Sequence, residues 1–280
     1  MFKKKYEKIG GSLEPIPLKR CIRVNTNKTS PEDLKRRLEK KGVRLTKIPF
    51  VKNGFFVENS RFNLVSSPEY LLGLFYIQDA ASQIPAGLLN PEGIVLDGFA
   101  APGGKTTQLA ESADVLAIDN NPIRMKKLFN NVERLGMKNI VAYTMDFMEL
   151  RTHFDYILCD MPCSGNYMLE SNWIKKNSQE RINERSRIQK QYLSHAISLL
   201  NDDGVLLYCT CSLEPEEDEY VIEHALNHHR VCLEPLNTIG DEGLTKVFGE
   251  TLDTSMKNCR RLWPEKTKTI GFFMARLRKC

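Results

Sequence analysis

Residues 94–119 read IVLDGFAAPGGKTTQLAESADVLAID, and this stretch decides the fold. Two short apolar segments in it, residues 94–96 and 115–118, each end at an aspartate, Asp97 or Asp119. Between the segments, a pair of glycines begins a stretch predicted to be helical. A strand, a glycine-containing turn, a helix and a second strand are the repeating unit of a parallel sheet covered by helices.

The alternation of strands and helices continues toward the C-terminus. Further strands are predicted at residues 140–143, 156–158, 205–208 and 272–275, with helices at 122–136, 181–200 and 215–228. The pattern before residue 86 indicates a small α+β unit, with strands at 22–24, 43–48 and 55–57 and a helix from Ser30 to Gly42. The apolar segment 70–77 suits either a helix or a strand. We therefore predict an N-terminal α+β domain over residues 1–85 and an α/β, Rossmann-like domain over residues 86–280.

Charge is segregated along the 280-residue chain. The net charge of +5 combines +10 in residues 1–47, −12 in residues 48–256 and +7 in residues 257–280. Basic termini favour a polyanionic partner, although a solvated basic surface gives the same pattern. We expect Lys3–Lys5 to form a mobile tail.

The sequence predicts neither a membrane span nor secretion. No run approaches 18 apolar residues, and the basic start is not followed by an apolar signal segment. The eight cysteines are too dilute for a disulfide scaffold, which favours the reducing cytoplasm. They also lack zinc-ribbon spacing, so no metal is predicted.

Acidic residues follow the predicted strands. Ligands of open α/β sheets bind at the carboxyl ends of strands, where this sequence places Asp97, Asp119, Asp146 and Asp160. Asp119 lies 22 residues after Asp97, a spacing at which a carboxylate accepts hydrogen bonds from ribose hydroxyls. These residues predict a cofactor that contains a nucleoside.

The glycine pattern narrows the choice of cofactor. A GxGxxG dinucleotide motif is absent, which disfavours a dehydrogenase. A P-loop is also disfavoured, because five residues instead of four separate Gly98 from Gly104 and Pro102 lacks an N–H group. Four carboxylates would repel a triphosphate, whereas they accept hydrogen bonds from the cationic S-adenosyl-L-methionine.

Two cysteines follow strand ends within turn sequences. Cys163 lies in Met-Pro-Cys-Ser-Gly and Cys211 in Thr-Cys-Ser, so both thiols should open at one edge of the sheet. Either cysteine alone would be read as a small buried side chain. Methylation of C5 of a pyrimidine requires a thiolate that adds to C6, and a carboxylic acid such as Asp160 could stabilise the charge at N3. These residues do not decide which cysteine attacks.

Three motifs together resemble a known family. They are residues 96–107 (LDGFAAPGGKTT), 160–165 (DMPCSG) and 210–212 (TCS), and they are similar to the RNA 5-methylcytosine methyltransferases of the NOL1/NOP2/Sun type. The similarity also includes residues 22–26, 78–82, 261–264 and 271–275, so it covers nearly the whole chain. The resemblance implies a class I S-adenosylmethionine-dependent methyltransferase domain with an RNA-recognition-like N-terminal subdomain.

The resemblance also implies residue roles. Cys211 would be the nucleophile, Cys163 would assist product release, and Asp160 and Lys105 would lie near the reacting groups. The cofactor would contact Ala100, Ala101, Pro102, Gly103, Gly104, Lys105, Asp119, Asp146 and Asp160, with Asp119 on the ribose and Asp146 on the adenine side. Phe99 and Met161 depart from the residues common in the family, but neither change removes a reactive group.

The predicted partner is RNA. The chain resembles small archaeal tRNA-modifying members, so tRNA is the predicted substrate, with ribosomal RNA as an alternative. A catalytically silent RNA-binding scaffold is a further alternative, which the intact cysteines and carboxylates disfavour. We expect a monomer that contacts RNA through its basic N-terminal domain and the catalytic surface, and the sequence identifies no helper protein.

Overall fold

The structure is a computed structural model that describes residues 2–280. It divides into two compact units, here called the bipartite unit (residues 2–18 and 147–280) and the continuous unit (residues 19–146). The bipartite unit begins with helix α1 (Phe2–Lys8). This division by compactness differs from the division at residue 85, which rests on the change in local sequence pattern.

The continuous unit contains an antiparallel and a parallel sheet. Its strands are β1 (Arg20–Val24), β2 (Arg44–Lys47), β3 (Gly54–Asn59), β4 (Phe75–Ile77), β5 (Ile94–Asp97), β6 (Asp114–Asp119) and β7 (Ile140–Thr144). Its α-helices are α2 (Pro31–Lys40), α3 (Pro68–Leu71), α4 (Ile84–Leu89), α5 (Gly104–Leu109) and α6 (Pro122–Leu135). Strands β2-β3-β1-β4 form the antiparallel sheet, and β5, β6 and β7 pair in parallel.

Helix α2 begins where the sequence predicted. The side chain of Ser30 accepts a hydrogen bond from the backbone N–H of Asp33 at 3.1 Å, and Pro31 occupies the first turn. Leu34 and Leu38 face inward, fully buried, and pack in the core of the antiparallel sheet. The predicted capping signal and apolar face are therefore confirmed.

The ambiguous apolar segment 70–77 forms two elements. Helix α3 ends at Leu71, and strand β4 begins at Phe75. Between them Gly73 has a φ of +71°, and an added Cβ there would lie 2.0 Å from the carbonyl oxygen of Arg134. The tight turn at Gly73 breaks the segment, so a single helix or strand is wrong.

The bipartite unit has a mixed sheet. Its further strands are β8 (Phe154–Asp160), β9 (Leu200–Thr210), β10 (Val231–Glu234), β11 (Asp241–Glu242), β12 (Lys246–Val247), β13 (Glu250–Thr251), β14 (Arg260–Leu262) and β15 (Phe272–Lys279). Its further α-helices are α7 (Trp173–Lys176), α8 (Gln179–Ser198), α9 (Glu219–His228) and α10 (Pro264–Thr267). Strands β8 and β9 are parallel, whereas β15 runs antiparallel to β9, β10 and β14.

Two expectations for the bipartite unit are wrong. The helix predicted from Pro215 begins at Glu219, because the backbone of Asp218 is not helical (φ −115°, ψ −98°). The expected tail is instead part of helix α1, in which Lys5 forms ion pairs with Glu214 and, at 2.8 Å, with Glu216. In residues 2–280 no helix combines the length and apolar character needed to cross a membrane.

Candidate active site

The two predicted cysteines meet in the bipartite unit. Strands β8 and β9 are parallel, with Asp160 in register with Cys209, so the turns that follow them leave the same edge of the sheet. These turns place the Sγ atoms of Cys163 and Cys211 3.1 Å apart. Both side chains are partly exposed. The predicted juxtaposition of the thiols is therefore confirmed.

The surroundings of the Cys163 thiol disfavour its thiolate form. The hydrogen bond with Cys211 raises the pKa of Cys163 well above its usual range, and burial and the negative charge of Glu217 add to this effect. A Cys163 that keeps its proton can donate it to the sulfur of Cys211. Cys163 is thus placed to act as a proton donor toward the Cys211 sulfur.

Glu217 links the turns that carry the two cysteines. Its Oε2 accepts hydrogen bonds from the backbone N–H of Ser164 at 2.9 Å and from Gln189 Nε2 at 3.0 Å, and its Oε1 accepts one from Ser212 Oγ at 3.3 Å. Burial raises the pKa of the fully buried Glu217 carboxyl. Glu217 therefore connects Ser164, next to Cys163, with Ser212, next to Cys211.

Substitution of Glu217 should separate its positioning role from its charge. In Glu217→Ala the two turns lose their common acceptor, and we expect methyl transfer to slow by about 100-fold, the cost of a misplacement of about 1 Å. In Glu217→Gln the amide oxygen still accepts from Ser164 and Gln189, while its NH2 group donates to Ser212, so most activity should return. Single-turnover rates measure both variants. Equal rates for Glu217→Ala and the wild type would contradict the positioning role.

Two further side chains fix the cysteine turns. Asn166 Nδ2 donates to the carbonyl oxygen of Cys211 at 2.6 Å and to that of Gly271 at 3.1 Å. Trp173 Nε1 donates to the carbonyl oxygen of Ser164 at 2.8 Å. Both side chains are buried, so the backbone near each thiol is held by hydrogen bonds that water cannot replace.

A buried acidic segment follows the Thr-Cys-Ser motif. Glu214, Glu217, Asp218 and Glu219 are fully buried. Arg261, also fully buried, pairs with Asp218 at 3.1 Å and with Glu219. Burial alone would lower the pKa of Arg261, but these carboxylates raise it above its usual range.

This network was not predicted from the sequence, because the predicted helix 215–228 placed Glu216, Glu217 and Asp218 in its first turn. The available signal was five acidic residues within positions 214–219, directly after a reactive turn. Arg261, the partner of Asp218 and Glu219, lies more than 40 positions away, so the local pattern could not show it.

Asp160 stands at the end of β8, as predicted. It is partly exposed, and its Oδ1 accepts a hydrogen bond from the buried thiol of Cys209 at 3.5 Å. The backbone N–H of the next residue, Met161, donates to the carbonyl oxygen of Cys209 at 2.9 Å. The strand pairing thus fixes the start of the turn that leads to Cys163.

The continuous unit contains the predicted cofactor residues. Ala100–Gly103 form a turn between β5 and α5, closed by a hydrogen bond from Gly103 N–H to the carbonyl oxygen of Ala100 at 2.8 Å. Thr106 Oγ1 in helix α5 donates to Asp97 Oδ2 at 2.7 Å and to the carbonyl oxygen of Ala100 at 3.1 Å. Asp97 therefore fixes the turn through Thr106.

Asp119 fits the predicted role of ribose acceptor. Its Oδ1 accepts from Asn121 N–H at 2.9 Å, and its Oδ2 accepts from Ala101 N–H at 3.2 Å and pairs with Arg124 Nη1 at 3.1 Å. A carboxylate has about four acceptor positions, so capacity remains for a ribose hydroxyl. A carboxylate that is held in place and can still accept a hydrogen bond fits the ribose of S-adenosylmethionine.

Two other predicted residues, Lys105 and Asp146, lie close to the ends of regular elements. Lys105 is in the first turn of α5 and is mostly buried. Asp146 follows β7 and is partly exposed. Within residues 2–280, no cluster of three or more His, Cys, Asp or Glu side chains could hold a metal ion.

Arg23 connects strand β1 to the cofactor turn. Its guanidinium donates to the carbonyl oxygen of Gly104, to Gln78 Oε1 at 2.8 Å and to Thr107 Oγ1 at 2.9 Å. It also pairs with Glu111 at 3.2 Å. Burial lowers the pKa of Arg23 to about 10. No sequence motif singled out this side chain, which makes all these contacts from one buried position.

Arg23→Lys should destabilise the protein although the charge is kept. A lysine cannot reproduce the planar fork of donors, and each lost charged hydrogen bond costs about 1.5–3 kcal/mol. We expect the free energy of unfolding to fall by about 3 kcal/mol in urea titrations. The control is Lys19→Met, which removes the exposed ion pair with Glu58 and should cost less than about 1 kcal/mol. Equal losses in the two variants would contradict this role.

Two family models match successive parts of the chain. Residues 86–278 match the family model of the 16S rRNA methyltransferase RsmB/F, and residues 1–80 match that of the N-terminal domain of the 16S rRNA methyltransferase RsmF. The crystal structure of a methyltransferase homolog protein from Pyrococcus horikoshii superposes with a TM-score of 0.87 at 40% identity, over 95% of this chain and 88% of that one.

Curated relatives are ribosomal RNA methyltransferases. The 28S rRNA (cytosine-C(5))-methyltransferase of Mus musculus is 34% identical over 94% of this chain and 35% of its own length. The ribosomal RNA small subunit methyltransferase F of Psychromonas ingrahamii is 34% identical over 94% of this chain and 57% of its own length. This chain thus spans between a third and three fifths of these relatives. The predicted Rossmann-like class I methyltransferase fold is confirmed, and the chain belongs to the RsmB/F methyltransferase family.

Proposed function

We propose that this chain is an S-adenosylmethionine-dependent RNA cytosine-C5 methyltransferase. The observation that carries the proposal is the pair of thiols 3.1 Å apart at the ends of two parallel strands. C5 of cytosine is not nucleophilic by itself, and a sulfur that adds to C6 makes it so. A second thiol within hydrogen-bond distance of the first supports the two-cysteine chemistry that the family resemblance implies.

Each residue of the cysteine site has a proposed task. The Cys211 thiolate forms a bond to C6, and the electrons of the C5–C6 double bond move toward N3. Asp160 stabilises the charge that develops at N3. After methylation, a base removes the C5 proton and the bond between C6 and sulfur breaks. Cys163 holds a proton beside the departing Cys211 sulfur, which supports its role in product release.

The cofactor residues have a separate task. When bound, S-adenosylmethionine supplies an electrophilic methyl group. Asp119 would hold the ribose, Asp146 the adenine side, and the turn from Ala100 to Lys105 would approach the cofactor with its backbone. The rigid bonds of Asp119 to two backbone N–H groups support its assignment.

The RNA class has two candidates. The similarity to small tRNA-modifying members favours tRNA. The relatives named above act on 28S and small-subunit ribosomal RNA by name, which favours ribosomal RNA as the second candidate. A monomer and a cytoplasmic location stay predictions.

One assay tests the activity and the RNA class together. The purified chain is incubated with S-adenosylmethionine and either total tRNA or ribosomal RNA, each lacking 5-methylcytosine, and the products are sequenced after bisulfite treatment. We expect a protected cytosine in tRNA. Protection only in ribosomal RNA would replace the predicted substrate, and no protection in either RNA would contradict the proposed activity and favour a silent scaffold.

The basic N-terminal domain is the proposed RNA-binding surface. Of five cations in and after α2, Arg36 pairs with Asp33 at 2.5 Å, Lys41 with Glu69 at 2.5 Å and Lys35 with Glu39 at 3.7 Å. Arg37 and Lys40 are exposed and form no ion pair with any residue in 2–280. These two side chains are therefore the best placed to bind phosphates.

Neutralising the cations that form no ion pair should weaken RNA binding more than neutralising the cations that do. We expect Arg37→Gln/Lys40→Gln to reduce the slope of log affinity against log salt by about 1 to 2, because each phosphate contact contributes about 0.7–0.9. Lys35→Gln/Arg36→Gln/Lys41→Gln should change the slope less, and neither variant should alter cofactor affinity. Fluorescence anisotropy with labelled tRNA measures the slopes. Unchanged RNA binding in both variants would assign the charges to an ordinary solvated surface.

A further inference from the structure

A cavity opens beside Cys163 in the bipartite unit. Its volume is about 450 Å³, which is within the range of sites for small organic ligands. Cys163 and Ser164 form one part of its wall. The remaining wall comes from the segment around α7 and the first half of α8, and it includes the charged side chains Glu170, Lys176, Arg181, Glu184 and Arg185.

The charges of this wall are not all compensated. Lys176 pairs with Glu170 at 2.5 Å, so these two side chains neutralise each other. Arg181 and Arg185 remain, with Glu184 as the third charged group of the wall. Arg185 is exposed and has no carboxylate within ion-pair distance in the part of the chain that the structure describes, residues 2–280. The wall therefore presents two guanidinium groups and an excess positive charge.

The guanidinium of Arg181 is already oriented. Its Nη1 donates to the carbonyl oxygen of Lys176, which joins the end of α7 to the beginning of α8. A guanidinium held in this way loses little freedom when it binds, and its planar fork of donors matches the oxygens of a phosphate. The cavity thus has a prepared donor and, in Arg185, a freely accessible one.

The position of the cavity indicates the class of ligand that it could hold. A cytosine whose C6 reaches the thiols brings its own phosphodiester groups, which are attached through the ribose of the same nucleotide. Phosphate contacts set the register of a nucleic acid on a protein without reading its sequence. A cationic cavity that shares Cys163 with the reactive pair is placed to receive such a group.

We propose that this cavity is a phosphate subsite that holds an RNA phosphodiester next to the target cytidine through Arg181 and Arg185. The inference rests on the proposed RNA substrate. Helix α8 offers a matched control, since Arg187 and Lys190 lie on the same helix but line a different cavity with His195 and His224. Cations of equal charge, a few positions away, thus face away from the proposed subsite.

The test compares two double variants by RNA binding. Arg181→Gln/Arg185→Gln should weaken the binding of labelled tRNA about tenfold at about 0.1 M salt and reduce the slope of log affinity against log salt by about 1.4, since two contacts to a single strand are lost. Arg187→Gln/Lys190→Gln should leave both quantities unchanged. Cofactor affinity, measured by calorimetry, should be unchanged in both variants. The single variant Arg185→Gln, whose side chain is exposed, repeats the test if the double variant is unstable.

Equal slopes for the wild type and Arg181→Gln/Arg185→Gln would overturn the proposal. An equal loss in the control variant would also overturn it, because the effect would then belong to the general surface charge. An acidic peptide that binds the wild type but not Arg181→Gln/Arg185→Gln, while both proteins bind RNA equally, would assign the cavity to a protein partner and overturn the proposal. Failure of the wild type to methylate any RNA, with the slope difference intact, would contradict the proposed activity and not the subsite.

Discussion

Cys211→Ala is expected to abolish methyl transfer to RNA. Without the thiolate no sulfur adds to C6, and C5 of cytosine does not become nucleophilic. Removal of a catalytic nucleophile costs about 10⁴-fold to 10⁶-fold in rate, so the product should fall below detection. Chromatography and mass spectrometry of the digested RNA measure the yield of 5-methylcytidine.

The control for Cys211→Ala is a cysteine outside the site. Cys232 is exposed, and Cys232→Ala should keep the wild-type rate. Cofactor binding and thermal unfolding should also be close to wild type in Cys211→Ala, because its side chain is partly exposed. Substantial 5-methylcytidine from Cys211→Ala would contradict its assignment as the nucleophile.

Cys163→Ala is expected to accumulate a covalent complex with RNA. The thiol of Cys163 lies 3.1 Å from Cys211, and it holds a proton that can be passed to the sulfur as the bond to C6 breaks. Without this thiol, addition and methylation still proceed, but release of the product slows. We expect a protein–RNA band that resists denaturant, requires S-adenosylmethionine and disappears after ribonuclease digestion.

The double variant Cys163→Ala/Cys211→Ala provides the control for this band. It lacks the attacking sulfur and should form no covalent complex. Normal turnover by Cys163→Ala, together with a trapped complex in Cys211→Ala, would reverse the two assignments.

Local sequence patterns predicted several element boundaries and the position of the thiols. Ser30 caps α2, Gly136 ends α6 with a φ of +70°, and Cys211 directly follows β9. Each of these features depends on a residue and its near neighbours, such as a cap, a left-handed glycine or the end of an apolar strand. The family resemblance supplied the roles of the two cysteines, because the sequence pattern alone did not show which of them attacks the base.

Long-range burial could not be predicted from the sequence. Lys5 and Arg23 both contribute to the basic N-terminal charge, yet Lys5 pairs with Glu214 and Arg23 lies buried beside Glu111. Arg261 of the basic C-terminal segment is likewise buried with two carboxylates. Charge counts along the chain therefore overstate the surface available to RNA, because ion-pair partners are distant in sequence.

The most direct test of the central claim identifies the residue that bonds to the substrate. RNA with 5-fluorocytosine at the target position cannot lose a proton from C5, so the wild-type enzyme should stop as a covalent complex after methylation. Digestion of this complex and mass spectrometry of its peptides locate the attached nucleotide. We predict attachment to Cys211. Attachment to Cys163, or no covalent complex with an RNA that is otherwise methylated, would contradict Cys211 as the nucleophile.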